Sequence, residues 1–146
     1  MKYIHPAIIV LFCGGLVVAF SSCSKSDRKP VYPVHGQVFD KDKKSAVGAL
    51  VIFHPVDESS PKLIRPLAHV DEKGDFALTT YENNDGAPAG EYIITISWRQ
   101  QPSKPSDGNK AGPDRLKGAY SNPKTSKLKF TITKQPDNAV PPIYLQ

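Results

Sequence analysis

The chain has 146 residues, of which 39% are hydrophobic, and its formal net charge at pH 7 is +5. This length suits one domain with a single core and is too short for two domains of ordinary size. The basic excess is small, and basic residues are not interleaved with aromatic ones. The composition therefore argues against a nucleic-acid partner and favours anionic partners only weakly.

Residues 1–22 have the three regions of a secretory signal peptide. Lys2 lies near the start, an apolar stretch runs from Ala7 to Phe20, and two small residues follow. The apolar stretch is shorter than the roughly 20 residues that span a bilayer core, so we expect it to be removed rather than kept as a membrane helix. Cys13 would be lost with it. Cys23 would then have no partner for an intramolecular disulfide.

The four residues Phe20-Ser21-Ser22-Cys23 resemble the bacterial lipobox. The resemblance implies that Cys23 becomes the acylated first residue of the mature protein and anchors it, through palmitate or a similar acyl chain, to a membrane of the cell envelope. An ordinary signal-peptidase cut is the alternative, because Phe20 stands where a lipobox usually has Leu. Ser24 is not the Asp-type signal that retains lipoproteins in the inner membrane, so the outer membrane is favoured, with the protein on its periplasmic or surface face.

The segment 23–33 is predicted to be the acylated cysteine followed by a flexible, polar tether bounded by prolines. The folded domain is predicted to cover residues 34–146. At about 3.3 Å per extended residue, such a tether could hold the domain up to roughly 30 Å from a membrane.

Alternating apolar and polar residues in the domain predict about seven β-strands and no helix. The predicted strands are 34–39, 47–53, 67–70, 74–81, 88–98, 127–133 and 141–145. We expect Asp71 to cap the turn that ends at Gly74, and Asn83-Asn84-Asp85-Gly86 to form a hairpin tip between the two central strands.

Each strand has one apolar face, and two such sheets can bury those faces only against each other. The pattern therefore predicts an antiparallel β-sandwich. Its expected core comes from both sheets: Phe76, Ile94, Ile96, Phe130 and Ile132.

Four short motifs resemble, in order and spacing, the carboxypeptidase regulatory-like domain. They are Gly36-Gln37-Val38, Val47-Gly48-Ala49-Leu50-Val51, Val70-Asp71-Glu72-Lys73-Gly74-Asp75-Phe76 and Pro88-Ala89-Gly90-Glu91-Tyr92. The resemblance implies a prealbumin (transthyretin)-like Greek-key sandwich. The segment 120–128 is also similar to the ending of small bacterial lipoproteins built from this one domain. Because this fold carries many functions, the resemblance bears on fold more than on activity.

Two patterns suggest metal binding, and neither is expected to hold a metal. His69 and Glu72 have the His-x-x-Glu spacing of zinc carboxypeptidases, but Glu72 falls in a tight turn and a third ligand is missing. The 83–86 segment could offer oxygen ligands to calcium, but its residues are typical of a turn. No cofactor and no catalytic residue are predicted, since the chain has neither the Tyr-Arg-Gly-Ser tail nor the His-x-His pair of enzymes that share the prealbumin architecture.

The segment 100–118 holds several prolines and glycines without apolar periodicity, so it is predicted to be a long, mobile loop. Its basic residues outnumber its acidic ones, and they form the candidate site for an anionic partner: Arg99, Lys104, Lys110, Arg115 and Lys117. A solvated insertion without a partner is the alternative.

Together these features predict a non-enzymatic, lipid-anchored envelope protein that acts as a binding or scaffold module. Its partner would be an envelope protein or polysaccharide. The alternative is an envelope lipoprotein that binds a carbohydrate or small molecule.

Overall fold

The computed structural model describes residues 28–57, 63–100 and 112–146. Cys23, Lys104, Lys110 and the predicted signal peptide lie outside these ranges. Within them the chain forms ten β-strands, and no described segment is a helix that could cross a membrane. The strands are β1 (Val31–Tyr32), β2 (Val34–Phe39), β3 (Leu50–Pro55), β4 (Leu67–His69), β5 (Asp75–Ala77), β6 (Ala87–Pro88), β7 (Gly90–Ser97), β8 (Lys129–Ile132), β9 (Asn138–Ala139) and β10 (Ile143–Tyr144).

Eight of the described strands form two sheets that pack face to face. One sheet has the order β4-β3-β7-β8, and all its neighbours are antiparallel. The other has the order β10-β2-β5 and includes β9, which also pairs with β2. In this sheet β5 is antiparallel to β2, whereas β9 and β10 run parallel to it. The predicted all-β sandwich is confirmed, with two parallel pairings that the strand pattern did not indicate.

The core fills the space between the two sheets. Phe53 from β3 joins them, since its ring centroid lies 6.5 Å from that of Phe76 on β5 and 5.8 Å from that of Tyr92 on β7. Four of the five predicted core residues are buried: Phe76, Ile94, Ile96 and Ile132. Phe130 is only partly buried, because it packs against the margin of the core from the edge strand β8.

The two central strands do not form the predicted hairpin. β5 pairs with β2, whereas β7 pairs with β3 and β8 in the opposite sheet. The predicted alternation of apolar and polar residues along both strands is correct, because both strands turn an apolar face inward. The hairpin tip was wrong because Asp85 accepts backbone N–H groups from Thr80, Tyr81 and Glu82, and so holds a compact loop that carries the chain across to the other sheet.

The last residues of the predicted tether belong to the fold. Val31 and Tyr32 form β1, which pairs with β6. Just before them, the Lys29 N–H donates to the Tyr81 hydroxyl at 3.0 Å, and the Arg28 guanidinium lies 5.1 Å from the Tyr81 ring centroid. The ordered part of the domain therefore begins before Val34.

A tyrosine fixes the start of β7. The Tyr92 side chain is 4% exposed, and its hydroxyl donates a 2.8 Å hydrogen bond to the Pro88 carbonyl, four residues earlier in the chain. Burial, and to a lesser degree the nearby Tyr81, raise the pKa of Tyr92 to about 12. A buried tyrosine that bonds back to the backbone in this way is a recurring device of Greek-key sandwiches.

Replacing Tyr92 by Phe should destabilise the domain by about 1–3 kcal/mol, because the buried Pro88 carbonyl loses its donor.

The wild-type chain should also lose stability as the pH rises from about 10 through 12, since the folded state holds the phenol proton more tightly than the unfolded state does. Urea titrations at neutral and alkaline pH measure both effects. An equal alkaline loss in Tyr92→Phe would contradict the assignment to Tyr92.

Phe130→Ala should cost about 1.5–3 kcal/mol, roughly half the cost of removing a fully buried phenylalanine, because part of this ring is solvent-exposed. The neighbouring Thr131 faces solvent on the same strand. Thr131→Ala should therefore change the free energy of unfolding by less than about 0.5 kcal/mol. Equal losses in the two variants would show that the ring does not pack on the core.

Candidate functional site

A cleft of about 950 Å³ opens on the outer face of the sheet that contains β2 and β5. Because side chains alternate along a strand, the inward residues of β2 build the core while His35 and Gln37 face outward. Asp75 and Ala77 face outward beside them on β5, and β4 supplies the next part of the wall. The remaining lining residues are Gly36, Leu67, Ala68, His69, Asp71, Phe76, Thr79, Asn83, Asn84, Ala139, Val140 and Pro142.

A small residue gives the cleft its depth. Ala77 lies opposite His35 on β2, and the link between Leu67 and Thr79 sets a register in which His69 lies on its other side. The β4–β5 connection is bonded at both ends, through Leu67 with Thr79 and through Asp71 with Asp75. Between these links β4 and β5 belong to different sheets. The floor is therefore an alanine methyl group flanked by two histidines.

The loop 79–86 forms one end of the cleft. Its Asp85 carboxylate accepts three backbone N–H groups at 2.7–3.0 Å. Burial alone would raise the pKa of Asp85, but these hydrogen bonds outweigh burial and hold the pKa below its ordinary value. The charged carboxylate therefore stabilises the loop that carries Asn83 and Asn84. This use of Asp85 also explains why the segment resembles a calcium loop in composition.

The polar side chains of the cleft are mostly amides and imidazoles. Gln37 Nε2 donates to Asp75 Oδ1 at 2.7 Å, and His35 Nδ1 lies 3.1 Å from Asp137. Within the described chain, the side chains of His69, Asn83 and Asn84 make no hydrogen bond of their own, so they are available to a ligand. None of the described residues that line the cleft is a lysine or arginine.

The predicted cationic site lies elsewhere. Arg99 follows β7 and pairs through its backbone with Asp114, and the Arg115 guanidinium stacks 4.7 Å from the Trp98 ring centroid. Lys117 is exposed and has a positive φ of 50°. The structure therefore shows three of the five predicted residues near the end of β7, while Lys104 and Lys110 lie outside the described residues.

Asp114 folds the second half of the predicted loop. Its carboxylate accepts the backbone N–H groups of Trp98, Leu116 and Gly118. Burial opposes the charged form, but these hydrogen bonds and the charge of Arg99 hold the pKa of Asp114 below its ordinary value. The described part of this segment is thus an ordered turn rather than the mobile loop that composition suggested.

His69 faces the cleft, and Glu72 lies in the exposed turn beyond β4. Among the described residues no group of three or more His, Cys, Asp and Glu side chains is arranged to hold a metal ion.

Sequence reasoning missed the cleft because its residues come from four strands, β2, β4, β5 and β9, whose adjacency the pattern did not reveal. Two signals were available: Ala77 between Asp75 and Thr79 at alternate positions of the chain, and Leu67 at an outward position of β4. Leu67 is 41% exposed.

No family model and no curated protein matches the chain. Among solved structures, a 9R-lipoxygenase from Cyanothece PCC8801 is similar with a TM-score of 0.43 and 14% sequence identity. The match covers 84% of this chain and 18% of the lipoxygenase chain, so this chain spans less than a fifth of that enzyme. A likeness of this degree carries no argument about function.

Proposed function

We propose that this protein is a non-enzymatic binding module of the bacterial cell envelope, that an acyl group on Cys23 anchors it, and that the cleft is its binding surface. The observation that carries the proposal is the cleft itself: an open depression of about 950 Å³ whose lining includes polar side chains that make no hydrogen bond within the described chain. Ligand sites commonly combine such a concave surface with a few polar groups that fix orientation.

The contacts inside the cleft favour binding over catalysis. The Thr79 hydroxyl oxygen accepts the Asn84 backbone N–H at 3.0 Å, and His35 Nδ1 faces the carboxylate of Asp137. These groups therefore support the loops around the cleft. A nucleophile would instead need its hydroxyl bonded to a histidine base.

The place where the N-terminal segment enters the sandwich favours an anchored module whose cationic residues face away from the membrane. Arg28 and Lys29 contact Tyr81 and Glu82 at one end of the sandwich, which we call the entry end. Trp98 and Arg115 lie at the opposite end, beyond the eight residues of β7. At about 3.3 Å per residue, the two ends are about 26 Å apart.

An anchor at Cys23 would thus hold the entry end nearest the membrane. Arg99, Arg115 and Lys117 would face an anionic polymer or protein of the envelope rather than the headgroups beside the anchor. This contact is a second candidate function, and it is separate from the cleft.

The first test fills the cleft. Ala77→Trp puts a large ring on the floor without touching the inward face of β5, and Thr131→Trp puts the same ring on the outward face of β8. We expect the detergent-solubilised mature protein to sediment with lipid-free envelope fragments, and Ala77→Trp to weaken this retention by about tenfold or more. Thr131→Trp should have no effect, and both variants should melt within a few degrees of wild type. Equal retention of the two variants would contradict the cleft as the binding surface.

The second test concerns the anchor. Cys23→Ser should leave unprocessed precursor and abolish metabolic labelling with a fatty-acid probe, whereas Cys13→Ser should change neither. Labelling that survives Cys23→Ser would overturn the proposed lipid anchor.

A further inference from the structure

A stacked aromatic pair lies beside the cleft. The rings of Phe39 on β2 and Tyr144 on β10 stack with their centroids 5.6 Å apart and an angle of 25° between their planes. Tyr144 is 53% exposed, and it is one of four large hydrophobic residues in the described chain that are well exposed. A second of the four, Leu67, lines the cleft.

Neighbouring residues hold both rings of the pair in place. Gly74, with a φ of 90°, lies against Phe39 so closely that a Cβ at this position would come 3.0 Å from a ring carbon. On the strand beside it, Ile143 and Leu145 are anchored in the core on either side of Tyr144. Tyr144 is therefore held with its ring on the outer surface. A preformed ring loses little conformational entropy when a ligand packs on it.

The aromatic pair and the cleft share one face of one sheet. Phe39 follows Gln37 by two residues, and Tyr144 follows Pro142 by two, so each ring points to the same side as a residue that lines the cleft. From Phe39 to His35 the strand extends about 13 Å. The surface is thus long enough for an oligomeric ligand that crosses from the rings to the histidines.

The chemistry along this surface selects the ligand. Amide and imidazole groups line the cleft, and the carboxylates among its described lining residues are Asp71, which caps its own turn, and Asp75, which is bonded to Gln37. With no lysine or arginine among the described lining residues, a phosphate or carboxylate group would find no such cation to pair with. A neutral ligand with many hydroxyl groups fits such a surface. A sugar ring also has an apolar C–H face that can pack on an aromatic ring.

Along β2 the cleft offers side chains from the face of the sheet rather than a strand edge. A peptide that binds as an added strand needs a free strand edge. Both edges of β2 are taken, one by β5 and the other by β9 and β10.

We infer that the cleft and the Phe39–Tyr144 pair form one site for a neutral polysaccharide chain. One sugar ring packs on Tyr144, and the following sugars lie along Gln37, His35, His69 and Asn83. This inference rests on the proposed function, because it names the ligand class of the same cleft.

The test is affinity electrophoresis of the mature protein in gels that contain a neutral polysaccharide. The probes are laminarin, xylan, soluble cellulose derivatives without charge and glycol chitin in its acetylated form, with dextran sulfate as the anionic comparison. We expect at least one neutral probe to retard the wild-type chain, with equal retardation at low and high salt, because no ion pair is involved.

Tyr144→Ala should weaken that binding by about tenfold, and Tyr144→Phe should keep it, because the ring and not the hydroxyl makes the contact. Gln37→Ala should weaken it severalfold. Val47→Ala, which shortens another exposed hydrophobic residue outside the cleft, is the matched control and should change nothing. Circular dichroism melting of each variant separates lost binding from lost folding.

Three outcomes would overturn the inference: retardation by none of the neutral probes, retardation by dextran sulfate alone that high salt abolishes, or full binding by a folded Tyr144→Ala. If Ala77→Trp still abolishes envelope retention while every neutral probe fails, the cleft remains the binding surface and only the ligand class is wrong. If Ala77→Trp leaves retention intact, the proposed function itself fails.

Discussion

The two sheets converge where Gly36 of β2 meets Phe76 of β5, and the other features of the fold depend on this contact. The Phe76 ring occupies the space above Gly36 so closely that a Cβ there would come 2.7 Å from the ring and 2.9 Å from Val140. The same ring reaches across the core to Phe53 in the opposite sheet. One glycine therefore lets β5, the segment after β9 and the second sheet converge. Any larger side chain at position 36 would push β2 and β5 apart. These two strands carry His35 and Ala77 at the floor of the cleft.

Much of the fold could be predicted from the alternation of apolar and polar residues alone. This period of two shows which residues of a strand face inward, and it does not depend on which strand lies beside it. The buried positions predicted on β5 and β7, which are Phe76, Ile94 and Ile96, are correct for this reason. Strand pairing could not be predicted where a side chain organises the connecting loop. Asp85, for example, turns the expected hairpin into a crossing between the two sheets. The short strands β1, β6 and β9 have two residues each, too few for any periodicity to show. The cleft depends on which strands are neighbours, so composition and spacing could not reveal it.

Four loops of this domain use the same device. Asp40, Asp71, Asp85 and Asp114 each accept two or more backbone N–H groups from residues close by, so carboxylates help to hold these loops. For Asp85 and Asp114 the folded state lowers the pKa. Their contribution to stability is therefore complete above the pKa of the unfolded chain and is lost as the pH falls through the lower, folded value. Acid would loosen the loop around Asn83 and the turn beneath Arg115 while the apolar core stays intact.

The parallel pairing of β9 and β10 with β2 joins the two extremes of the folded region. Asn138 Nδ2 donates to the Pro33 carbonyl across a separation of 105 residues, and Leu145, at 1% exposure, fills part of the core. Contacts between such distant residues close large loops, and chains that depend on them fold slowly. The sheet that carries the cleft is incomplete until residues 138–145 have been synthesised and have docked beside β2. A nascent chain would thus keep this sheet open until the residues at the end of the folded region have left the ribosome.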